Sequence, residues 1–466
     1  MLFENFLKNL PEVERPTQKR LPFNERLKWT IIILVAYFIL GITPLFGLGN
    51  NSLQMFESLS IIIGASFGSI ISLGIGPIVT ASIILQLLVG SGILNIDMTK
   101  QEGRAYFQGL QKLLSIIFVI FESIIYVYMG GLTAPPGPNH AFLQLLLVVQ
   151  LTLGGLLILL MDEVVSKWGF GSGISLFIVA GVSKSIVIRL LSPFTTTGSL
   201  GYPFTTNPTG APVGRLWNLF YSLVTGNIQE VLLSLSSIVA TIVVFVMAVY
   251  VQAMRVEIPL AFERVRGYGI RWPLNFLYTS NIPVILVAAL MANLQLWGKL
   301  LSSRGINILG TFSGNTPVSG LVYWVSTPTP VQDLIKGAFT TTSLLHTLIY
   351  ALFLVGGAVL FAVLWVHTSG IDARSQARQI LASGLKIPGF RKDERILERI
   401  LNRYIMPLAV MGGIAVGLLA SLADILGALS RGTGILLAVM ILYQLYQQIA
   451  REHLMEMSPA LRKFIK

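Results

Sequence analysis

Long apolar runs alternate with short polar stretches along the whole chain, which is the hydropathy pattern of a polytopic membrane protein. A helix that crosses a bilayer needs about 20 mostly apolar residues. The pattern predicts ten spans, at roughly 28–46, 75–90, 106–130, 140–161, 172–192, 231–253, 280–298, 345–367, 404–426 and 432–451. We therefore expect an all-α polytopic membrane protein with ten transmembrane helices.

Residues 55–68 differ from the spans around them, because charged and hydroxyl side chains and glycines interrupt the apolar run. We predict a short re-entrant helix that enters the membrane here without crossing it. The chain then turns through Ser72, Gly74, Gly76 and Pro77 and begins the second span. Irregular backbone at membrane depth is tolerated only where it lines a cavity or is buried in protein. The pattern therefore predicts a hollow centre around which the other helices pack.

The composition agrees with a membrane protein and excludes the soluble classes. Of the 466 residues, 54% are hydrophobic and only 12% are charged. The chain has no cysteine, so it has neither disulfides nor thiolate chemistry. Residues 1–25 are polar and charged, so we expect no cleavable signal peptide, and the first span would act as the insertion signal. No cofactor, metal site or catalytic group is predicted.

The positions of the basic residues predict the orientation of the chain. If the N-terminus is cytosolic and the spans alternate, cytosolic segments hold 25 of the 33 Lys and Arg residues. External segments hold seven, and Lys112 lies within a span. Cytosolic loops of membrane proteins carry an excess of Lys and Arg. We therefore expect both termini in the cytosol.

Two long basic loops, 254–279 and 368–403, lie on the predicted cytosolic side. In the second loop Asp372 and Asp393 can open helices, and a Gly-Phe-Arg-Lys sequence forms a protruding tip. Charge that only sets the topology explains part of this pattern. A structured basic loop also suits a polyanionic partner such as RNA. The residues themselves leave both interpretations open.

An internal repeat divides the chain near residue 200 into two halves of five spans, 1–200 and 201–466. The fifth span opens with Gly-Ser-Gly-Ile at 171–174, and the tenth opens with Gly-Thr-Gly-Ile at 432–435. Because five is odd, the two halves would be inserted with opposite orientations, as in an inverted repeat. The alternative is that glycine and proline are simply common in membrane helices.

In inverted-repeat proteins the functional site lies near mid-membrane, where the halves face each other. The second, fifth, seventh and tenth spans would meet there. Their early turns carry aliphatic residues without charge: Ile75, Val79, Ile174, Ile178, Ile285 and Leu437. A ring of such side chains can close a central pore by dewetting. For each residue alone, packing or contact with lipid is the alternative.

Several long motifs occur along the chain: LGIGPIVTASIILQLL, DEVVSKWGFGSGISLFI, MRVEIPL, ANLQLWG and GALSRGTGILL. In this order, and over essentially the whole chain, they resemble the SecY family, the large subunits of the Sec protein-conducting channel in its archaeal and eukaryotic form. The resemblance implies a non-enzymatic channel in the plasma membrane that passively conducts unfolded secretory polypeptides and releases apolar segments laterally into lipid.

The resemblance also implies partners. These are signal sequences and nascent polypeptides, the ribosome, and two small membrane subunits, SecE and a beta subunit. Energy would come from the ribosome, since the chain has no GxxxxGK[ST] loop. The two cytosolic loops resemble ribosome-docking loops. Their contacts with ribosomal RNA would fall on Arg264, Arg266, Arg391 and Lys392.

Within the membrane the resemblance implies three features. The segment 55–68 resembles a plug that blocks the external funnel, with Glu57, Ser60, Ile62, Gly64 and Phe67. The pore ring of the family falls on the same six aliphatic residues that the repeat brings to the centre. A lateral gate would lie between the second and third helices and the seventh and eighth. Its polar residues would be Thr80, Gln111 and Asn293.

Two other classes of protein are alternatives. A secondary transporter also uses inverted repeats and a broken helix, but it needs charged groups at the repeat interface. Glu122 and Asp424 are the only acidic residues within the predicted spans, and neither lies on the four central helices. An intramembrane protease needs a Ser–His pair or paired aspartates at membrane depth, and the four histidines lie near predicted span ends.

Overall fold

Ten long helices dominate the described part of the structure, which is a computed structural model. It describes residues 11–18, 21–51, 66–94, 96, 101–195, 199–201, 203, 210–262, 269–279, 282–314, 316–382, 385–386, 393–430 and 432–457. The long helices are α1 (Phe23–Ile42), α2 (Gly76–Gly90), α3 (Gln101–Tyr128), α4 (His140–Trp168), α5 (Gly173–Leu191), α6 (Ile228–Ala253), α7 (Ile282–Ser303), α8 (Thr341–Thr368), α9 (Glu394–Ile425) and α10 (Gly432–Met457).

Shorter elements occupy the connections. The strands are β1 (Asn50–Asn51), β2 (Leu132–Thr133), β3 (Arg255–Phe262), β4 (Gly269–Asn275), β5 (Phe312–Ser313), β6 (Thr316–Pro317) and β7 (Leu385–Lys386). Short helices within the described ranges cover Arg215–Thr225, Gly320–Val325, Pro330–Ile335 and Ala373–Ala382. These strands form the small antiparallel pairs β1–β2 and β5–β6, and a sheet in the order β4-β3-β7.

Each of the ten predicted spans is confirmed as a helix. Among the described residues, the eight helices α3 to α10 are long and apolar enough to cross a membrane. Helix α2 is apolar but shorter, with 15 residues. Helix α1 begins with the charged residues Glu25, Arg26 and Lys28 and is apolar beyond them. The chain is therefore a multi-pass membrane protein.

Helix α9 begins well before the predicted span at 404–426, because Asp393 caps an earlier start. The carboxylate of Asp393 accepts a hydrogen bond from the backbone N–H of Arg395 at 2.9 Å. Likewise, Asp372 accepts from the backbone N–H of Ser375 at 3.3 Å ahead of the short helix Ala373–Ala382. Both helix openings expected in this loop are thus confirmed.

Glycines let the helices approach closely, as expected where lipid gives no hydrophobic drive for helix association. A Cβ added to Gly154 of α4 would lie 1.9 Å from the carbonyl oxygen of Ile70. A Cβ on Gly417 of α9 would lie 2.8 Å from the Cα of Val355 on α8. At either position a larger residue would force the neighbouring backbone to move.

The segment 66–75, which leads into α2, has irregular backbone buried in the protein, as the sequence predicts. Its hydroxyl side chains satisfy that backbone. Ser72 is fully buried, and its Oγ donates to the carbonyl of Ser69 at 2.5 Å and accepts from the N–H of Gly68 at 2.9 Å. The segment is also tied to the end of α1, since Ile70 N–H donates to the carbonyl of Thr43 at 3.1 Å.

The two basic loops fold together into one unit, which the sequence did not reveal. Strands β3 and β4 of the first loop form a hairpin, and β7 of the second loop pairs with β3 at Ala261↔Lys386 and Phe262↔Leu385. A separate apolar cluster lies beneath them. Its buried members include Leu274, Ala377 and Leu401. The cluster also includes Val366 of α8 and Ala409 of α9, so this core joins the loops to these two helices.

The N-terminal segment 11–16 lies across the end of α4 and is held there by ionic and hydrogen-bonding contacts. Val13 N–H donates to Glu163 Oε2 at 2.9 Å, and Lys167 Nζ donates to the Val13 carbonyl at 2.7 Å. Lys167 also pairs with Glu12, and Glu163 pairs with Lys112 of α3. A chain of charges thus links the N-terminal segment, α4 and α3.

This attachment should depend on pH and on Lys167. The hydrogen bond from Lys167 lowers the pKa of Glu12 below its ordinary 4.5. A carboxyl with a lowered pKa contributes its full stabilisation above the ordinary value and loses it as the pH falls through the lowered value. Hydrogen exchange at the Val13 amide, corrected for the intrinsic rate, should be slow at pH 7 and should accelerate below pH about 4.5.

A Lys167→Met variant should show the faster exchange of Val13 already at pH 7. The matched control is Lys184→Met, which changes an exposed lysine on α5. Equal protection of Val13 in the parent and the Lys167 variant would show that this lysine does not hold the segment.

Candidate functional site

Four helices surround the centre of the bundle in the arrangement that the repeat predicts. Helix α7 packs against both α2 and α10, and α10 packs against α5. Two of these helices come from each half of the chain. The halves therefore meet at this point, between α2 and α7 and between α5 and α10.

Five of the six predicted ring residues are buried members of the large apolar cluster that runs through the helix bundle, and Ile174 packs against that cluster. Ile75, Ile178 and Leu437 have no solvent exposure, Val79 and Ile285 are buried, and Ile174 is half-buried. Ile75 lies directly ahead of α2, and its carbonyl accepts the hydrogen bond from Val79 N–H at 3.0 Å. All six side chains are aliphatic, so they offer water and ions no polar partners.

Of the predicted plug residues, only Phe67 falls within the described part of the chain. Its ring lies 6.5 Å from the ring of Tyr126 on α3, edge to face, and it packs against the central apolar cluster. Glu57, Ser60, Ile62 and Gly64 lie outside the described residues, and so do the four predicted RNA-binding residues Arg264, Arg266, Arg391 and Lys392. Their roles stay predictions.

A polar contact bridges α2 and α7 in the middle of the predicted lateral gate. Asn293 Nδ2 donates to Thr80 Oγ1 at 2.8 Å, so the structure brings these two predicted residues together. The hydroxyl of Thr80 also lies 3.4 Å from Oε1 of Glu122 on α3. Within the described part of the chain, no donor reaches Oε2 of Glu122, which is buried. The contact therefore joins three helices and leaves the Glu122 carboxyl incompletely satisfied by the described residues.

Gln111 is not part of this polar contact. It lies on α3 eleven residues before Glu122, which is about 16 Å along the helix axis. Its side chain is half-buried, and its role at the gate stays a prediction. Glu122 is the residue that sequence reasoning missed here. Its position as the single carboxyl in the middle of the third span was the available signal.

The seam between α3 and α7 continues toward the C-terminal ends of both helices. The rings of Phe121 and Trp297 lie 5.7 Å apart across it. At the end of the seam, the guanidinium of Arg304 donates to the carbonyl of Tyr128. Polar, aromatic and charged contacts thus follow one another along the seam.

The neighbouring seam between α2 and α8 closes by close packing. A Cβ on Gly90, at the end of α2, would lie 2.2 Å from Cδ2 of Leu364 on α8. The approach therefore depends on the lack of a side chain at Gly90, and any other residue there would have to displace Leu364. Together the two seams form one continuous line of contact between α2 and α3 on one side and α7 and α8 on the other.

Known proteins resemble this chain along nearly its whole length. The SecY family model matches residues 69–446. The protein translocase subunit SecY of Methanothermobacter thermautotrophicus is 46% identical over 467 residues, which cover 99% of this chain and 98% of that protein. A solved protein-conducting channel is 42% identical, with a TM-score of 0.81 and 98% of each chain covered. Sec61 in a canine ribosome–channel complex from the endoplasmic reticulum is also 42% identical, with a TM-score of 0.78 and 98% of each chain covered.

Removal of the aromatic or charged contact should widen the seam between α3 and α7. Because the chain has no cysteine, spin labels at Ile124→Cys and Ser303→Cys report only the distance between these helices. An aromatic pair contributes about 0.5–1.5 kcal/mol, so Trp297→Ala should raise the population of the separated state about two- to tenfold. Arg304→Gln should widen the same distance distribution.

The matched control for both variants is Lys299→Gln. Lys299 lies on the same helix but contacts Gly314 and the ring of Phe312, away from the seam. It should leave the distance unchanged. If Trp297→Ala and Arg304→Gln gave the same distribution as Lys299→Gln, these contacts would not hold the seam closed.

Proposed function

This chain belongs to the SecY family of protein translocase subunits, and from that membership we propose how its central cluster and its seam serve translocation. The protein is a non-enzymatic subunit of a protein-conducting channel in a membrane. Different parts of the chain close the pore, plug it, open it toward lipid and bind the partner that drives the polypeptide.

The ring of six aliphatic residues is the constriction of the pore. The observation that carries this proposal is the position of Ile75, Ile178 and Leu437, which are fully buried where helices of both halves meet. Aliphatic walls expel water from a narrow passage, so the ring blocks ions at rest. Since aliphatic side chains form no hydrogen bonds with one another, the ring can part around an extended polypeptide of any sequence.

The segment 55–68 acts as the plug on the external side of this ring. The irregular segment that follows it is tied to the end of α1, through the hydrogen bond from Ser66 Oγ to the carbonyl of Gly41 at 3.0 Å. This attachment holds the C-terminal end of the plug, which includes Phe67, at the end of α1. The plug therefore moves from a fixed base when a polypeptide enters.

The seam is the lateral gate through which apolar segments leave for lipid. Burial of apolar surface is worth about 25 cal/mol per Å², so an apolar segment gains free energy by leaving the pore sideways, whereas a polar one does not. Opening the seam hydrates the carboxyl of Glu122 and the amide of Asn293. The carboxyl of Glu122 is incompletely satisfied by the described residues in the closed seam, and this keeps the barrier to opening low.

The joined basic loops dock a ribosome, which drives the polypeptide. Support comes from the sheet that links the described parts of loop 254–279 and loop 368–403. The roles of Arg264, Arg266, Arg391 and Lys392, which lie outside the described residues, are part of the proposal. The relative Sec61 occurs in a ribosome–channel complex. Arginine and lysine on such a unit suit the phosphates of ribosomal RNA.

The remaining assignments follow from the family and from charge. The chain forms two halves, 1–200 and 201–466, inserted in opposite orientations, and SecE clamps them with a beta subunit beside it. The channel lies in the plasma membrane with both termini in the cytosol, because 25 of the 33 basic residues then fall on the cytosolic side.

Crosslinking with a translocating chain tests the pore ring. A ribosome-stalled secretory polypeptide with one cysteine should form a disulfide with Ile75→Cys at the chain lengths that place its cysteine mid-membrane. Leu153→Cys is the matched control, since Leu153 on α4 is 55% exposed on the outer surface of the bundle. A crosslink at Leu153 but not at Ile75, at every chain length, would show that the polypeptide does not pass through the ring.

Replacement of Asn293 by leucine tests the lateral gate. In Asn293→Leu no amide at this position becomes hydrated when the seam opens, so the closed gate should be favoured. A test segment should then need a higher apolar content to integrate. A shift of about 0.6 kcal/mol lowers the integration of a segment near the threshold about threefold. The measurement is glycosylation mapping of test segments with increasing leucine content.

Gln295→Leu is the matched control for the gate. Gln295 is also a buried amide of α7, but it donates to the carbonyl of Val325 at 3.0 Å, away from the seam. The control should leave the threshold where it is in the parent. An equal shift in both variants, or none in Asn293→Leu, would contradict the assignment of this polar contact to the gate.

A further inference from the structure

Helices α5 and α10 bring three of the ring residues to the centre, and both begin there. The first backbone N–H groups of a helix have no partner within the helix. At the starts of these two helices Gly173 and Thr433 are buried, so the N–H groups there need an acceptor from the protein. In both helices that acceptor is an aspartate of the preceding helix.

In the N-terminal half the acceptor is Asp162 of α4. Its Oδ1 accepts the backbone N–H of Ile174 at 2.9 Å and lies 3.4 Å from the hydroxyl of Ser172. Ile174 is itself a ring residue. A Cβ on Gly173 would lie 2.5 Å from the Cα of Asp162, so only glycine at this position lets the start of α5 come so close to α4.

In the C-terminal half the acceptor is Asp424 of α9, which is buried. Its Oδ1 accepts the backbone N–H of Thr433 at 3.2 Å, and its Oδ2 accepts the hydroxyl of Tyr350 on α8 at 2.6 Å. A Cβ on Gly432 would lie 2.0 Å from the backbone carbon of Ala423. Glycine is again required for the close approach of the two helices.

The two arrangements share one plan, although the contacts fall at different places in the repeated sequence. The capped residue is Ile174 in the first half and Thr433 in the second, and the close glycine is Gly173 in the first and Gly432 in the second. In each half the fourth helix supplies the carboxylate, the fifth helix begins against it, and a glycine permits the contact. These carboxylates bind the N-terminal ends of α5 and α10, where the paired sequences Gly-Ser-Gly-Ile (171–174) and Gly-Thr-Gly-Ile (432–435) lie. The negative charge also lies at the positive end of each helix dipole, which strengthens both contacts.

We propose that Asp162 and Asp424 are positioning residues of the pore seal, which hold the starts of α5 and α10 so that Ile174, Ile178 and Leu437 meet in the closed ring. Neither side chain touches the translocating polypeptide. Each acts through the helix that it caps. The proposal rests on the assignment of the ring as the pore constriction.

The resting leak of the purified channel complex in liposomes tests this proposal. Asp162→Ala and Asp424→Ala remove the acceptor and should each raise the leak of a small fluorescent anion about fivefold, equivalent to about 1 kcal/mol. Asp162→Asn and Asp424→Asn keep an acceptor oxygen for the same N–H group, so their leak should stay within about twofold of the parent.

Controls on the same helices separate this role from general loss of packing. Thr152→Ala on α4 and Ser421→Ala on α9 each remove a hydroxyl that donates to a carbonyl of its own helix. These variants should be as tight as the parent. Should an alanine variant fail to assemble, Tyr350→Phe removes one hydrogen bond to Asp424 with little change in volume and should still raise the leak about twofold.

The leak of ring variants shows whether a negative result contradicts the role of the aspartates or the assignment of the pore ring. Ile178→Gly and Leu437→Gly should leak strongly if the ring is the constriction. If they leak while both aspartate-to-alanine variants stay tight, the positioning role is wrong and the pore assignment stands. If the asparagine variants leak as much as the alanine variants, the aspartates do not act by accepting the backbone N–H groups of α5 and α10. If the ring variants stay tight, both proposals are wrong.

Discussion

Backbone N–H and C=O groups that leave a helix inside a membrane must find partners within the protein, and much of this structure follows from that constraint. The segment 66–75 meets it with the hydroxyls of Ser66, Ser69 and Ser72. The starts of α5 and α10 meet it with Asp162 and Asp424. Each solution places irregular backbone at the centre of the bundle, and this is what allows a passage to exist between otherwise regular helices.

In the function proposed above, the two openings of the channel are closed by different chemistry, because they open toward different solvents. The ring leads from water to water, and aliphatic residues such as Ile75 and Leu437 close it by excluding water. The seam leads from the pore to lipid, and the polar contact of Thr80, Asn293 and Glu122 lies in its middle. An apolar seam would pack more tightly but would cost more to open toward a hydrated pore.

Hydropathy alone predicted the ten helices, because each span is apolar over most of its length, whether it faces lipid or other helices. The pairing of β7 with the hairpin of β3 and β4 was missed, because the residues that join them, such as Ala261 and Lys386, lie more than a hundred positions apart. For the gate, resemblance supplied Thr80 and Asn293, and their contact exists. The sequence marked the third partner, Glu122, as the single carboxyl of the third span, but only the packing of α3 against α2 shows that it faces the seam.

The proposed ring and the proposed gate both use α2 and α7, so we expect their opening to be coupled. On α2 the ring residue Val79 is followed directly by Thr80 of the seam. On α7, Ile285 and Asn293 are eight residues apart, which is about 12 Å along the axis. A polypeptide that parts the ring therefore moves α2 away from α7 and strains the hydrogen bond from Asn293 to Thr80. Entry of a chain into the pore thus weakens the seam through which its apolar segments leave, without any further signal between the two sites.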